Sequence, residues 1–194
     1  MFNTLVTPRL DIHQWIRNTG RTGLEILPGD RSTATAQIVI NAENRPMDSI
    51  RLLFKPLSKE YDYIIFDTAP SVGGIQERAV YASDLALIPT ATEFLSVDGL
   101  AQTVEMFNSM RDKSGWTGRL LGILPTFYDE QTTESAKSLK DLQDAFGDSV
   151  LSPIHRATVL RECAAEGKTI FELAVTSRAS REYEELSRTT VKHS

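Results

Sequence analysis

The sequence predicts an α/β fold, a mostly parallel sheet flanked by helices. Three continuous apolar runs carry that prediction, residues 63–66, 85–89 and 120–124. Such runs suit parallel strands covered on both faces. Between them lie longer stretches whose apolar residues recur at helical spacing. That alternation implies right-handed βαβ units, with ligands beyond the carboxyl ends of the strands.

The elements follow in chain order. Residues 24–27 read as a short strand, stopped by Pro28, Gly29 and Asp30. Over 46–58, Met47, Ile50, Leu53, Phe54 and Leu57 fall at helical spacing, with Pro46 in the first turn and Pro56 ending the helix. A strand at 63–66 and a helix over 75–82 come next, then a strand at 85–89. Ser96 or Asp98 can cap the following helix, whose face carries Val97, Leu100, Val104, Phe107 and Met110. After the strand at 120–124, residues 133–146 place Ala136, Leu139, Leu142 and Phe146 on one side, and Gly147 signals a stop. Residues 150–154 read as a short strand interrupted by Pro153. Helices are expected over 158–166 and 178–191, the latter with Ala179, Tyr183, Leu186 and Thr190 in one stripe. The segments expected at strand ends are 67–74, 90–94, 126–129 and 155–158.

The chain has 194 residues, 41% hydrophobic and 24% charged, which suits one globular domain over residues 1–194. Its formal net charge of −5 argues against tight nucleic-acid binding by charge alone. Residues 1–150 hold 14 Lys and Arg against 20 Asp and Glu; residues 151–194 hold seven against six. A basic contact surface is therefore expected near the C-terminus. Cys163 is the only cysteine, so no intrachain disulfide forms. With His13, His155 and His193 scattered, it does not supply a structural zinc site. No apolar run approaches the roughly 20 residues of a membrane span, and residues 1–15 lack the pattern of a signal peptide. A soluble, cytoplasmic protein is expected.

The chemistry concentrates in YDYIIFDTAPS, residues 61–71. Four apolar residues end in Asp67, placed at a strand tip to hold a magnesium ion, directly or through water, beside nucleotide phosphates. Residues 68–74 then form a segment able to respond to a γ-phosphate. Taken by itself, Asp67 also reads as an ordinary cap of the next helix.

The run resembles the Walker B segment of the ParA/MinD/Soj family, where Asp-x-Pro-Pro-Ser follows the strand; this chain has Ala69 at the first of those prolines. The similarity continues. ADxxLIPxxxExxSxxGLxxxxE resembles residues 82–105, and a strand ending in Thr-x-Tyr-Asp resembles 124–129. Ile-Pro-Arg, a helix and Gly-Lys-Pro-Ile resemble 154–171, and SRAxxxYxxLxxxV is similar to 177–191. The chain is identified as a member of this deviant-Walker P-loop family, of the ParA partition type.

The resemblance implies ATP and Mg²⁺ as cofactors, with Asp67 on the metal side and Thr68 and Pro70 beside it. It implies that Thr126, Phe127, Tyr128, His155 and Arg156 border the adenine, His155 standing where the family has proline. Packing at a strand end explains the first three equally well, and a lone histidine is more often structural than catalytic. The resemblance also implies DNA contacts from Arg161, Arg178 and Arg181, with Arg156 and Arg188 nearby. Glu182, Glu184 and Glu185 interleave with these, and a salt-bridged solvated face is the simpler reading. Glu93 and Asp98 receive no catalytic role. Expected partners are a second copy or another ParA-type protein, a ParB-like stimulator and non-specific DNA at the nucleoid. No membrane is expected, since the closing EELSRTTVKHS is too polar for an amphipathic anchor.

The family's Lys-Gly-Gly-x-Gly-Lys-Thr loop and its Asp-x-Asp-Pro-Gln motif do not occur in this sequence. Gly167-Lys168 follows a predicted helix and lacks the upstream glycines. Loop amides and lysines are what cradle phosphates. The resemblance therefore implies an N-terminally truncated domain that alone hydrolyses no ATP and leaves sheet edges bare. Two other readings stand beside this one. The first is a non-enzymatic module that pairs with a full-length ParA-type protein. The second is another P-loop relative, such as a cobyrinate amidotransferase ligase or a nitrogenase-iron-protein-like reductase. The reductase would need cluster cysteines that Cys163 alone does not supply.

Overall fold

A computed structural model describes residues 5–7, 11–68, 74–93 and 97–194, with the backbone alone at residue 34. The chain divides into two compact units, Met1–Ser83 and Asp84–Ser194.

In the first unit, β1 (Arg17–Asn18) pairs antiparallel with β2 (Glu25–Ile26) in a two-residue register. The strand expected at 24–27 is thus shorter than its apolar run and belongs to a hairpin instead of a parallel sheet. Three helices follow: α1 (Ser32–Ala42), α2 (Ser49–Phe54) and α3 (Ile75–Ala82). They bury Ala36, Ile40, Ile50 and Ala79 with Leu5 in one cluster. Helix α2 begins later than expected, because Pro46 sits in a turn whose carbonyl accepts from Ser49 N at 3.1 Å. After Pro56 only one 3-10 turn remains, Leu57–Lys59.

Residues 63–66 correct an expectation. They belong to no helix and form no strand ladder among the described residues. A strand exists only through the N–H and C=O groups of a neighbour, and among the described residues no ladder reaches this segment. The side chains still alternate as a strand's would. Phe66 packs inward, edge-on to Phe54 at 4.9 Å, while Ile65 is 90% exposed and Tyr63 is 52% exposed.

Arg78 on α3 is buried, and its guanidinium donates to the carbonyls of Gly74 at 3.0 Å, Arg45 at 2.6 Å and Pro46 at 3.3 Å. It staples the turn before α2 to the start of α3. The indole nitrogen of Trp15 is buried and has no hydrogen-bond partner among the described residues.

His13 lies between two carboxylates, Asp11 at 2.7 Å and Glu60 at 3.0 Å. Hydrogen bonds from Asp11 first and Glu60 second raise its pKa above the ordinary 6.5. A raised histidine stabilises the fold fully below the unfolded-state value, and that contribution is lost as pH rises through the folded-state value. Glu60→Gln should therefore lower the urea midpoint at about pH 5.5 and leave it nearly unchanged at about pH 8.5. Equal losses at both pH values would contradict this.

The second unit opens with the expected βαβ unit. Strand β3 (Leu85–Ala91) pairs parallel with β4 (Arg119–Thr126), from Leu85↔Arg119 to Ala91↔Thr126, and α4 (Val97–Ser114) connects them. Leu100, Phe107 and Met110 of the expected stripe are buried, and Phe107 meets the buried Trp116 at 5.6 Å. Of the two expected caps, Ser96 lies outside the described residues; Asp98 falls in the first turn.

Helix α5 (Thr133–Phe146) has the expected bounds and closes at Gly147, φ 52°. Its inward face differs by one position. Ser135 is buried in place of Ala136, because its hydroxyl has polar partners inside. Residues 150–154 run beside β4, with Leu151 N on Ile123 O at 2.8 Å and Ile154 N on Pro125 O at 2.9 Å. They make isolated parallel bridges, Ile123↔Val150 and Tyr128↔His155, instead of the expected strand. Pro153 has no N–H to continue a ladder. Gly122 lets this segment approach, since a Cβ there would lie 2.6 Å from Leu151 Cγ.

Helix α6 (Thr158–Glu166) also has the expected bounds and stops at Gly167, φ 64°. A short helix, α7 (Ile170–Leu173), begins with a Thr169–Glu172 capping box that the sequence reading did not use. Helix α8 (Arg178–His193) is capped by Ser177. Leu100, Ile123 and Leu142 form one core cluster; Cys163, Ile170 and Ala179 form another. Among the described residues no helix is long and apolar enough to cross a membrane.

Candidate functional site

The carboxyl ends of β3 and β4 are locked together by polar groups. Thr92 N donates to Thr126 O at 3.1 Å, and the buried hydroxyls of Thr92 and Ser135 lie 3.1 Å apart. Asp129 N donates to the same Ser135 hydroxyl at 3.3 Å. Directly after β4, Phe127 takes φ 54° and leaves its ring 52% exposed. A non-glycine residue held there costs about 1 kcal/mol or more, and such strain gathers at functional sites.

One residue further, Tyr128 pairs with the 154–156 segment: Tyr128 N donates to Ile154 O at 3.2 Å, and Arg156 N to Tyr128 O at 2.9 Å. The rings of Tyr128 and His155 meet edge to face at 4.9 Å. Glu182, from α8, accepts from His155 N at 2.9 Å and lies 2.7 Å from His155 Nδ1. Arg178, one turn earlier, reaches Glu182 at 2.8 Å, Glu130 at 3.2 Å and His155 Nε2 at 2.6 Å. Glu130 first, then Glu182, hold the Arg178 guanidinium above its ordinary pKa. Arg156 forms an ion pair with Glu93 from the loop after β3.

Tyr128, Glu130, His155, Arg156, Arg178 and Glu182 border a cleft of about 310 Å³. Of the expected base-side residues, Tyr128, His155 and Arg156 line it. Thr126 and Phe127 do not; the Thr126 carbonyl is already used by Thr92. Glu93, Glu130 and Glu182 were missed in their pairing roles. Only Arg178–Glu182, four residues apart on one helix, carried a local signal.

On the metal side, Asp67 and Thr68 are exposed, and the Asp67 carboxylate has no partner among the described residues. Pro70 lies outside them. Among the described residues no cluster of three or more His, Cys, Asp or Glu could hold a metal. A single carboxylate fits a magnesium ion whose other ligands are phosphates and water. Among the expected DNA contacts, Arg161 and Arg181 are exposed. Arg181 donates to Thr176 O at 2.8 Å, while Arg178 is committed to two carboxylates.

A parallel β–α–β core with polar residues at its strand ends defines an α/β fold of the P-loop NTPase type. Residues 1–117 match the AAA_31 family, described as an AAA domain. The uncharacterized protein Rv1708 of Mycobacterium tuberculosis (strain H37Rv) is 29% identical over 188 residues, 96% of this chain and 59% of that protein. The chromosome partitioning protein ParA of Myxococcus xanthus is 28% identical over 183 residues, 93% of this chain and 64% of that protein. A solved ATP complex of a Cyanothece McdA variant is similar in fold. Its TM-score is 0.87 at 20% identity, over 96% of this chain and 74% of that one. The chain therefore spans about three-fifths of the length of the first of these relatives. It belongs to the AAA_31 family.

Proposed function

We propose that this chain is the C-terminal portion of a ParA-type partition ATPase. It supplies the magnesium-side carboxylate, Asp67, and the base-side cleft of Tyr128, His155 and Arg156. The observation that carries the reading is the cleft at the carboxyl end of β4, where an α/β sheet receives its ligands. The intact protein would bind ATP and Mg²⁺, dimerise, coat DNA non-specifically and release it when a ParB-like partner stimulates hydrolysis. Arg161 and Arg181 are the better-placed DNA contacts, because Arg178 is already neutralised.

Alone, the 194-residue chain lacks the glycine-rich loop whose amides and lysines bind phosphates. Phosphate release from ATP and Mg²⁺ by the purified chain is expected to stay at the buffer rate. Joining it behind a loop-bearing N-terminal segment should restore turnover, and Asp67→Ala should then lower turnover at least about 100-fold. Turnover by the chain alone that Asp67→Ala abolishes would refute the proposal.

A further inference from the structure

We propose that Glu182 is a positioning residue: it fixes His155 as the Nδ1–H tautomer and thereby sets the donor and acceptor pattern of the cleft wall. The inference deepens the reading of that cleft as the base side of a nucleotide site and rests on it.

Two partners on opposite edges of the ring impose the same answer. The Glu182 carboxylate lies 2.7 Å from Nδ1, and an ionised carboxylate only accepts. Nδ1 must therefore carry the proton. On the other edge, Arg178 Nη2 lies 2.6 Å from Nε2, and a guanidinium only donates. Nε2 must therefore present its lone pair. Glu182 also accepts from His155 N and from Arg178 Nε, so one carboxylate orients both side chains. The side chains of His155 and Glu182 are only 14% and 15% exposed, which keeps water from replacing the contact.

The groups facing His155 are Glu182 and Arg178 from α8, and Tyr128 and Glu130 from the loop after β4. Arg156, next along the chain, is held by Glu93. With Nε2 unprotonated, Arg178 is drawn across the wall of the cleft. A base entering there meets guanidinium N–H groups instead of an imidazole N–H. A second proton on His155 would set an N–H against the guanidinium. Glu130, at 3.7 Å from Nε2, is the acceptor that would take Arg178's place.

The test uses the full chain with ¹⁵N-labelled histidine imidazoles, observed by long-range ¹H–¹⁵N spectra near pH 8, beside a titration with a fluorescent ATP analogue. Wild-type His155 should show a pyrrole-like Nδ1 and a pyridine-like Nε2. Glu182→Gln removes the charge that anchors Arg178 as well as the Nδ1 acceptor, so the guanidinium should leave Nε2 and the proton should move there, towards Glu130, while Glu182→Asp should keep the wild-type pattern. Should Glu182→Gln fail to fold, Arg178→Gln gives the second reading: Nδ1–H is retained while Nε2 shifts towards the value of a ring nitrogen with no donor. A wild-type Nε2–H form overturns the inference, as does a folded Glu182→Gln with the tautomer unchanged, or an Nε2 signal indifferent to Arg178→Gln. These spectra need no nucleotide. Should the analogue fail to bind wherever the loop-bearing segment is supplied, the base-side reading falls and the tautomer lock stands.

Discussion

Placing a side chain at Gly122 is expected to cost the second unit about 3 kcal/mol for valine, the upper end of what overpacking does in a tight interior. The cause is specific. A Cβ at 122 would sit 2.6 Å from Leu151 Cγ and nearly as close to both Leu151 methyl carbons. The Leu151 main chain is pinned, its own N–H on Ile123 O and Ile154 N on Pro125 O, so its side chain must leave its present rotamer to make room. The branched valine leaves the turned Leu151 little room, and the strain falls on the 150–154 segment beside β4. Urea denaturation followed by circular dichroism would show a lower midpoint. Leu151→Ala should recover much of the loss in Gly122→Ala, because it removes the atoms that clash. If Gly122→Val matches the wild type, residues 150–154 do not lie against β4.

The second large effect belongs to Arg78. Replacing it with methionine keeps most of the side-chain volume but removes the donors to three carbonyls, that of Gly74 in a buried setting and those of Arg45 and Pro46 in partly buried ones. Carbonyls left unsatisfied in a buried setting cost about 1–3 kcal/mol. A net loss of about 3 kcal/mol is expected for the first unit. Lysine should fall between, since a compact ammonium cannot reach three acceptors arranged for a planar fork. Amide hydrogen exchange over α1–α3 would register the loss as faster opening of that unit while the second stays protected. Uniform protection in Arg78→Met would refute the staple.

The helices were legible wherever their signals were local. Helices α3, α5 and α6 have the expected bounds because apolar spacing acts within a few residues, joined in α5 and α6 by a glycine stop. Helix α1 was not, because Thr33, Thr35, Ile38, Val39 and Ile40 are β-branched and favour no helix by themselves. The packing of Ala36 and Ile40 decides it. Residues 63–66 failed for the complementary reason: the pattern of a strand is written in the segment, but its hydrogen bonds belong to a neighbour. The same division runs through the site. Tyr128, His155 and Arg156 could be found as residues following apolar runs. Their carboxylate partners Glu93, Glu130 and Glu182 come from other elements, and nothing in the linear order announces which acid meets which base. Ser135 was hidden because a serine on an inward helix face looks like an error until its partner Thr92 is known.

One indole lies in each half of the molecule, and their surroundings differ. Trp116 is sealed against Phe107, whereas Trp15, in the other unit, keeps a buried ring nitrogen with no acceptor among the described residues. The protein thus carries two built-in optical reporters whose emission is expected to differ. Removing either one leaves a spectroscopic signal that follows the melting of a single half, without any attached dye.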